Sequence, residues 1–392
     1  MYYNTCTVLS FIVENGISKD PYYDVIMDDD LAMNQWPKAL DKIKTLPKPS
    51  VCAQVMNREM FDKYKHYTTA YGWTIARAIN TTAKNPDSIV GCHAGDLESY
   101  YMFKDFFKPV VALYHDGYDM DSMCHVTDMD PAKITKDVNQ AAKSRIVSTR
   151  IRVARNLNNF PLNPVGTKET RLQIAALMEK VFSKLEGDLS GNFYRHSEMT
   201  QAQTQQLIDD HFLFRGKDRM QAASGYHEYW PHGRGVFVSH DKQFVCWINE
   251  GDHIRIISME KGCQVKSVLS RLLRAAKAIE DNIRAIKGPG PVFLSDPALG
   301  MISCCPSNLG SGLRGSVHIR LPNLIKSIGF EKIDEMARSM NCQARGSSGE
   351  HSDVVDRIDI SNIRRLGFPE YVLVQDMIAC VNKLVELEER ST

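Results

Sequence analysis

The sequence of 392 residues lacks several features that would place it in a special class of protein. Its ten cysteines never occur in CxxC spacing, which argues against a zinc site, so reduced thiols are expected. No apolar run approaches the ~18 residues that a membrane span needs. The formal net charge is +1, which gives no reason to expect nucleic acid or a membrane as a partner.

The first residues also lack the basic segment of a targeting peptide, although residues 8–13 are apolar. Hydrophobic residues make up 43% of the chain and charged residues 24%, which is ordinary for a globular protein. The length allows two domains or one large one. We therefore expect a cytoplasmic globular protein.

The pattern of apolar residues changes along the chain and predicts an α+β fold. The first 115 residues or so show mostly helical spacing, whereas short alternating runs further on indicate strands joined in hairpins rather than βαβ units. The predicted segments are an N-terminal extension (1–50), a small all-helical domain (51–115), a polar linker (116–144) and a larger domain with an antiparallel sheet flanked by helices (145–392).

A glycine-rich loop, residues 310–315, carries Arg314 and runs into an alternating strand, 317–321. Glycines let backbone amides approach an anion, and a guanidinium adds fixed charge. The glycine spacing also matches the dinucleotide-binding and protein-kinase loops. We exclude both, because a strand rather than a helix follows and the chain has no HRD or DFG tripeptide. The loop indicates a phosphate site with the Cys305 thiol at its entrance.

Other arginines stand on predicted strands or near turns. Arg150 and Arg152 are two residues apart on a predicted strand and so share one face. Such a pair lies in water or binds an anion, and a convergent set would bind more than one phosphate. The loop carboxylates Glu250 and Glu350 suit a planar guanidinium. The candidate phosphate ligands are Arg150, Arg152, Arg255, Arg314 and Arg345.

Several motifs, in order, resemble the phosphagen (guanidino) kinases, the family of creatine and arginine kinase, over roughly residues 50–390. The motifs are Ser148-Thr-Arg-Ile-Arg152, Leu207-Ile-Asp-Asp-His-Phe-Leu-Phe214, Trp247-Ile-Asn-Glu-Gly-Asp-His-Ile-Arg255, Cys305-Pro-Ser-Asn-Leu-Gly310 with Val317-His-Ile319, and Arg345-Gly-Ser-Ser-Gly-Glu350. The resemblance implies reversible transfer of the γ-phosphoryl group between ATP and a guanidino nitrogen, with Mg²⁺ bound alongside ATP or ADP.

The resemblance also implies roles for single residues. The five arginines would hold the nucleotide phosphates, with no metal ligand supplied by the protein. His211 and His318 would line the nucleotide site, and Ser148 and Asp359 would lie close to it. Glu250 and Glu350 would orient the guanidinium, one of them accepting its proton, beside Cys305 as a thiolate. The implied guanidino-specificity loop contains Tyr71, Gly72 and Trp73.

The sequence departs from the family at two places. The family usually has two adjacent glutamates where this chain has Glu250 and Gly251. The missing carboxylate is one that the family uses against the substrate guanidinium. Either another glutamate takes over, or the chain is a weakened enzyme or a nucleotide-binding pseudoenzyme subunit. A second loop, 353–358, is one residue shorter than usual, which leaves the role of Asp359 open.

The acceptor substrate is harder to predict. Residues 90–100 resemble the creatine-kinase branch, which is typically dimeric, so we expect a homodimer or a heterodimer with a close paralogue. Glu350, however, stands where creatine kinases have an apolar residue that packs against the N-methyl group, and a carboxylate suits a methyl group poorly. We therefore predict glycocyamine; arginine, taurocyamine, lombricine and creatine stay open, as does a protein-arginine kinase.

Overall fold

The computed structural model describes residues 27–346 and 357–391, so the predictions for Glu350 and for the shorter loop fall outside the described residues. The predicted fold class is confirmed. A small helical unit precedes a larger unit in which helices flank an eight-stranded antiparallel sheet. None of the helices in the described ranges is both long and apolar enough to span a bilayer.

The N-terminal unit consists of short helices packed around one apolar core. They are α1 (Asp29–Ala32), α2 (Lys38–Ile43), α3 (Val51–Val55), α4 (Arg58–Tyr64), α5 (Ile75–Lys84), α6 (Leu97–Met102) and α7 (Lys104–Tyr114). Side-chain caps start several of them; Thr74, for example, accepts from the Arg77 amide at the start of α5. Helices α6 and α7 are separated at Phe103, and Pro109 lies inside α7.

Helices α1 and α2 lie in the segment predicted as an extension, yet they contribute to the same core. Leu31, Leu40 and Ile43 are buried in one cluster with Phe61 and Tyr100. The predicted linker also has structure, namely a 3-10 turn and α8 (Gln140–Arg145). This segment is tied to the C-terminal helix, because the side chain of Asn382 accepts a hydrogen bond of 2.9 Å from the Asn139 amide.

The sheet has the strand order β2-β3-β4-β5-β1-β8-β10-β9, and every neighbouring pair is antiparallel. The strands are β1 (Ile146–Arg155), β2 (Gly191–Arg195), β3 (Gly235–Ser239), β4 (Phe244–Ile248), β5 (Ile254–Lys261), β8 (Leu313–Arg320), β9 (Cys342–Gly346) and β10 (Arg357–Asn362), with a separate ribbon of β6 (Ser295–Asp296) and β7 (Gly300–Met301). The hairpin strands and the first long strand predicted from the sequence are confirmed.

One face of the sheet is covered by long helices. Residues of β1 such as Ile151 and Val153 point into an apolar core shared with the long helices. The remaining helices are α9 (Lys168–Phe182), α10 (Gln201–Asp209), α11 (Arg219–Ala223), α12 (Val265–Lys287), α13 (Pro322–Ile328), α14 (Phe330–Ser339) and α15 (Glu370–Arg390). Because side chains alternate along a strand, burying this face sends Arg150 and Arg152 to the other one.

The helical unit contacts the larger unit at the segment before β8. Leu299, Ile302 and Leu309 are part of the N-terminal core. The Ala94 amide donates to the Cys304 carbonyl at 2.7 Å, and the Tyr100 hydroxyl donates to the Ser303 carbonyl at 2.7 Å. The Cys304–Cys305 segment therefore lies where the two units meet.

Candidate functional site

The register of the central strands gathers the predicted arginines on one face. Arg152 on β1 lies directly opposite Arg314 on β8. On the other side of β1, Ala154 lies opposite Arg255 of β5. Directly opposed residues in an antiparallel pair project from the same face, and so do residues two apart on one strand. Arg150 therefore shares this face with the other three arginines.

The same reasoning extends across the next three strands. Ser148 lies opposite His318, which lies opposite Asp359 on β10, and Asp359 lies opposite Arg345 on β9. The register thus places all five predicted arginines on one face, together with Ser148, His318 and Asp359. These strand pairings join residues that are far apart in the sequence.

A cleft opens on this face. Four arginines line it together with Asn308 and Gly312. Three of the four were predicted, and the fourth, Arg365, was missed. It follows directly after Arg364 beyond the end of β10, and this pair of arginines was the available sequence signal. The full lining is Arg152, Val153, Ala154, Arg255, Asn308, Gly312, Arg314 and Arg365.

The cleft carries more positive charge than its carboxylates balance. Burial, and then the charges of Arg150, Arg255 and Arg314, hold the pKa of Arg152 well below its usual value. Burial and Arg314 likewise lower the pKa of Arg150 to about 10. Within the described ranges no carboxylate forms an ion pair with Arg152. A multiply charged anion would supply the missing compensation.

Trp247 joins this face to the turn that carries His211. The Arg150 guanidinium carbon lies 5.4 Å from the centroid of the Trp247 ring, a cation–π contact. The indole Nε1 donates to the Phe212 carbonyl at 2.7 Å. His211, beside Phe212 and just after α10, is exposed with a φ of 59°. The structure therefore places His211 at the border of the arginine face.

Asp359 holds Arg314 in position. Its carboxylate forms an ion pair with the Arg314 guanidinium, and its other oxygen lies 3.6 Å from His318 Nε2. Burial lowers the pKa of His318, and Arg150 and Arg314 add to this effect, although Asp359 opposes it. His318 is therefore favoured as the neutral imidazole, able to donate or accept one hydrogen bond.

A buried carboxylate adjoins the arginine cleft. Glu250 Oε2 lies 2.9 Å from Arg255 Nε, and Glu250 Oε1 accepts from Gln221 Nε2 at 2.8 Å. Burial alone would lower the pKa of Arg255, but Glu250 and then Asp252 raise it above its usual value. His227 Nε2 lies 3.2 Å from Gln221 Oε1 and fixes the orientation of the amide. No local sequence signal pointed to Gln221, which lies 29 residues before Glu250.

Cys305 lies beside Ser307 at the meeting of the two units, with Sγ and Oγ 3.0 Å apart. Burial raises the pKa of the Cys305 thiol above its usual value, although Ser307 and Arg365 act in the opposite direction. The protonated thiol is therefore favoured at neutral pH in this arrangement. The thiolate predicted from the family needs an additional cation, such as a bound guanidinium.

We expect Cys305 to be alkylated slowly at pH 7, because the thiolate is the nucleophile and the pKa of this thiol is raised. The rate with iodoacetamide should rise about tenfold per pH unit as long as the pH is below the raised pKa. Mass spectrometry of the modified peptides measures it, with the exposed Cys124 as internal reference. A rate at Cys305 that is flat from pH 6 to 9 would contradict the protonated thiol.

The predicted specificity loop is only partly placed to meet a substrate. Tyr71 is 49% exposed, and Gly72 takes a φ of 85°. Trp73, however, is 1% exposed, and its indole donates to the His93 carbonyl at 3.3 Å. The prediction that Trp73 contacts the substrate is corrected here, because its side chain belongs to the N-terminal core and anchors the loop.

The donor groups of the site suit anions rather than a resident metal ion. In residues 27–346 and 357–391, no three His, Cys, Asp or Glu side chains come together as a metal-binding group. The arginines offer planar donors with the geometry that phosphate oxygens accept. Beside them, the pair of Glu250 and Arg255 shows that this pocket accommodates a guanidinium against a carboxylate.

Comparison with known families and proteins gives consistent results. Residues 47–112 match the family described as ATP:guanido phosphotransferase, N-terminal domain, and residues 173–391 match ATP:guanido phosphotransferase, C-terminal catalytic domain. The chain is 41% identical over 362 residues to an arginine kinase of Anthopleura japonica, covering 91% of this chain and 49% of that protein. It is 37% identical over 341 residues to an arginine kinase of Polybetes pythagoricus, covering 87% and 92%.

Solved structures show the same relationship. A lombricine kinase crystal structure superposes with a TM-score of 0.82 at 34% identity, covering 93% of this chain and 96% of that one. The substrate-free duplicated taurocyamine kinase of Schistosoma mansoni gives a TM-score of 0.80 at 34% identity, covering 90% and 48%. The chain thus spans about half the length of the Anthopleura protein and of the duplicated kinase, and nearly all of the Polybetes and lombricine kinases.

Proposed function

We propose that this chain, which belongs to the ATP:guanido phosphotransferase (phosphagen kinase) family, transfers the γ-phosphoryl group of ATP reversibly to a nitrogen of a small guanidino compound. One observation carries the proposal. Four arginines line one cleft, and one of them, Arg255, is paired with the buried carboxylate of Glu250. A polyphosphate site and a guanidinium site therefore adjoin each other.

The arginine face performs the phosphate part of the reaction. Phosphoryl transfer depends on in-line positioning and on neutralising charge that spreads over the transferred group, not on covalent help from the protein. Guanidiniums that are already fixed, such as Arg314 held by Asp359, stabilise that charge without reorganising during the reaction. ATP would enter with Mg²⁺ on its phosphates, where the ion supplies further neutralising charge.

Glu250 performs the acceptor part. Gln221 fixes one carboxylate oxygen, whereas Oε2 is buried and accepts no hydrogen bond from the described residues. This oxygen faces a guanidinium in Arg255 and suits a second one from the acceptor. We propose that Glu250 orients the acceptor and, with Glu350, is a candidate to take its proton. Ser148, His211, His318 and Arg345 remain predicted contacts of the nucleotide.

For the acceptor itself we propose a guanidino compound without an N-methyl group. Glycocyamine is the prediction from Glu350, whereas the name of each curated relative points to arginine. The named substrates of the structural relatives are taurocyamine and lombricine, which also lack the methyl group. A cytoplasmic location and a dimer, with itself or with a paralogue, stay predictions.

A coupled assay of phosphoryl transfer tests the proposal. MgATP would be combined in turn with glycocyamine, arginine, taurocyamine, lombricine and creatine, and ATP hydrolysis without acceptor would be subtracted. We expect turnover with at least one acceptor that lacks the methyl group, and creatine at least about tenfold worse in kcat/KM. A clear preference for creatine would overturn the proposed acceptor class.

A second candidate function is a nucleotide-binding pseudoenzyme, and the observation that favours it is Gly251. The position next to Glu250 carries no carboxylate, although it adjoins Arg255. Stabilisation by MgATP is expected from both an enzyme and a pseudoenzyme, so only turnover separates them. Nucleotide binding without transfer to any of the five acceptors would favour the pseudoenzyme over a kinase of small guanidino compounds.

A further inference from the structure

The space beside Gly251 is already occupied. A Cβ atom at this position would lie 2.9 Å from Arg255 Nη2, 3.4 Å from Tyr226 Cε2 and 3.6 Å from Gln221 Nε2. The φ of Gly251 is not in the left-handed region, so its backbone conformation admits other residues. Neighbouring side chains, not the backbone, limit what position 251 can hold.

Tyr226 is the rigid member of this group. Its side chain is 5% exposed, and its ring lies edge-on to His93 of the N-terminal unit, with centroids 5.4 Å apart. The ring is therefore fixed, whereas the end of Arg255 can move.

The backbone of Gly251 is also held in place. The Cys304 thiol donates to the Gly251 carbonyl at 3.7 Å, and Asn163 Nδ2 donates to it at 3.1 Å. These two bonds fix Gly251 at the point where the Tyr226 ring adjoins it. Neighbouring Glu250 shares the backbone that these contacts hold.

We infer that Tyr226 is a positioning residue of the acceptor site, filling the space beside Gly251 so that Arg255 stays paired with Glu250. The inference rests on the proposed function, since it concerns the same guanidino site. An aromatic ring beside Gly251 keeps water away from the Arg255–Glu250 pair. Excluding water lowers the local dielectric constant, which strengthens an ion pair that is already formed. Tyr226 and Gly251 therefore form one coupled unit, in which a side chain at position 251 would lie against the ring and displace the end of Arg255.

A double-mutant cycle tests this coupling. The proteins are the wild type, Tyr226→Ala, Gly251→Glu and the double variant, with Tyr226→Phe as the conservative change and Tyr194→Ala as a control on the edge strand β2. KM and kcat would be measured separately for acceptor and MgATP, together with the melting temperature of each protein.

We expect Tyr226→Ala to raise the acceptor KM about tenfold while the KM for MgATP changes less than about twofold. Tyr226→Phe keeps the ring and should restore most of the acceptor affinity. Gly251→Glu alone should lower kcat/KM for the acceptor, because the new carboxylate displaces Arg255. In the double variant Tyr226→Ala/Gly251→Glu, kcat/KM for the acceptor should be at least about tenfold higher than the two single changes predict together. Independent sites do not show such a coupling.

Two results would overturn the inference. One is a Gly251→Glu variant that is as active as the double variant, since the ring would then not limit the space. The other is a Tyr226→Ala variant in which the KM for acceptor and the KM for MgATP rise equally and the melting temperature falls. Tyr194→Ala could show the same pattern, so this result would mean that Tyr226 has a purely structural role. If the wild type transfers no phosphoryl group, the proposed function fails. The same four proteins can then be compared by calorimetric titration of the acceptor into their MgADP-bound forms. Zero coupling in the acceptor affinities, or no acceptor binding at all, overturns the inference.

Discussion

Replacing Arg152 by alanine is expected to lower phosphoryl transfer about 10³-fold, the low end of what a guanidinium contributes at a transferring phosphoryl group. Arg152 stands at the centre of the arginine face, opposite Arg314 and on the strand next to Arg255. It lines the cleft, and its charge is not neutralised by a carboxylate partner in the part of the chain that the structure describes. Its removal takes away charge that the phosphates require.

The same substitution is expected to leave the ligand-free protein no less stable. The pKa of Arg152 is depressed, which means that folding penalises its charged form. Because the depressed pKa lies below that of the unfolded chain, this penalty is fully present at neutral pH. It decreases as the pH rises above the folded pKa and is lost at the unfolded pKa. Alanine removes the penalty, and the loss of the packed side-chain stem offsets part of the gain.

Coupled assays and thermal unfolding with and without MgATP would measure both effects. Arg152→Lys keeps a positive charge but loses the planar fork, so intermediate activity is expected. Arg274→Ala is the matched control, because this exposed arginine pairs with Asp188 away from the cleft. A variant that unfolds at a much lower temperature, or that keeps wild-type turnover, would contradict the assignment of Arg152 to the phosphate site.

Glu250→Gln is expected to lower kcat/KM for the acceptor by about 10²–10³-fold, the range of a general acid–base group or one oriented charge. Glutamine keeps the shape and the contact to Gln221 but cannot balance a guanidinium. Unlike Arg152→Ala, this change should also destabilise the protein by about 3 kcal/mol, because among the described residues Arg255 would keep only Asp252, at 3.8 Å, as a carboxylate partner.

Steady-state kinetics and denaturant unfolding would show whether the two losses occur together. The matched control is Glu335→Gln, since this exposed glutamate pairs with Lys332 on the surface of α14. Full turnover in Glu250→Gln would mean that another group orients the acceptor, and Glu350 would be the next residue to change. An unaltered free energy of unfolding would contradict the buried ion pair with Arg255.

Several features of the molecule could be predicted from the sequence because their signals are local. The alternation in 146–155 shows a strand, and the spacing of Arg150 and Arg152 shows that they share a face. The long apolar stripe ending at Gly288 shows the helix Val265–Lys287. The motifs carried the family resemblance for the same reason, since each is contiguous and needs no knowledge of the fold.

Other predictions failed or were never made because they depend on distant contacts. Trp73 stands next to an exposed glycine loop in sequence, yet its ring is buried by the helices of the N-terminal unit. Arg365 was missed because nothing near it in sequence connects it with Arg152, which lines the same cleft. Gln221 and Tyr226 were missed for the same reason, since both meet the 250–251 segment only after folding.

The sequence by itself determined the fold class, the family and the kinds of charge that the site uses, because helix and strand periods, capping residues and contiguous motifs are properties of neighbouring residues. The tertiary structure decided which charges meet. Antiparallel register aligned five arginines from four strands on one face, and burial depressed the pKa of Arg152 while Glu250 raised that of Arg255. Packing between the two units placed Tyr226 against Gly251, a contact that depends on chain segments brought together only by folding.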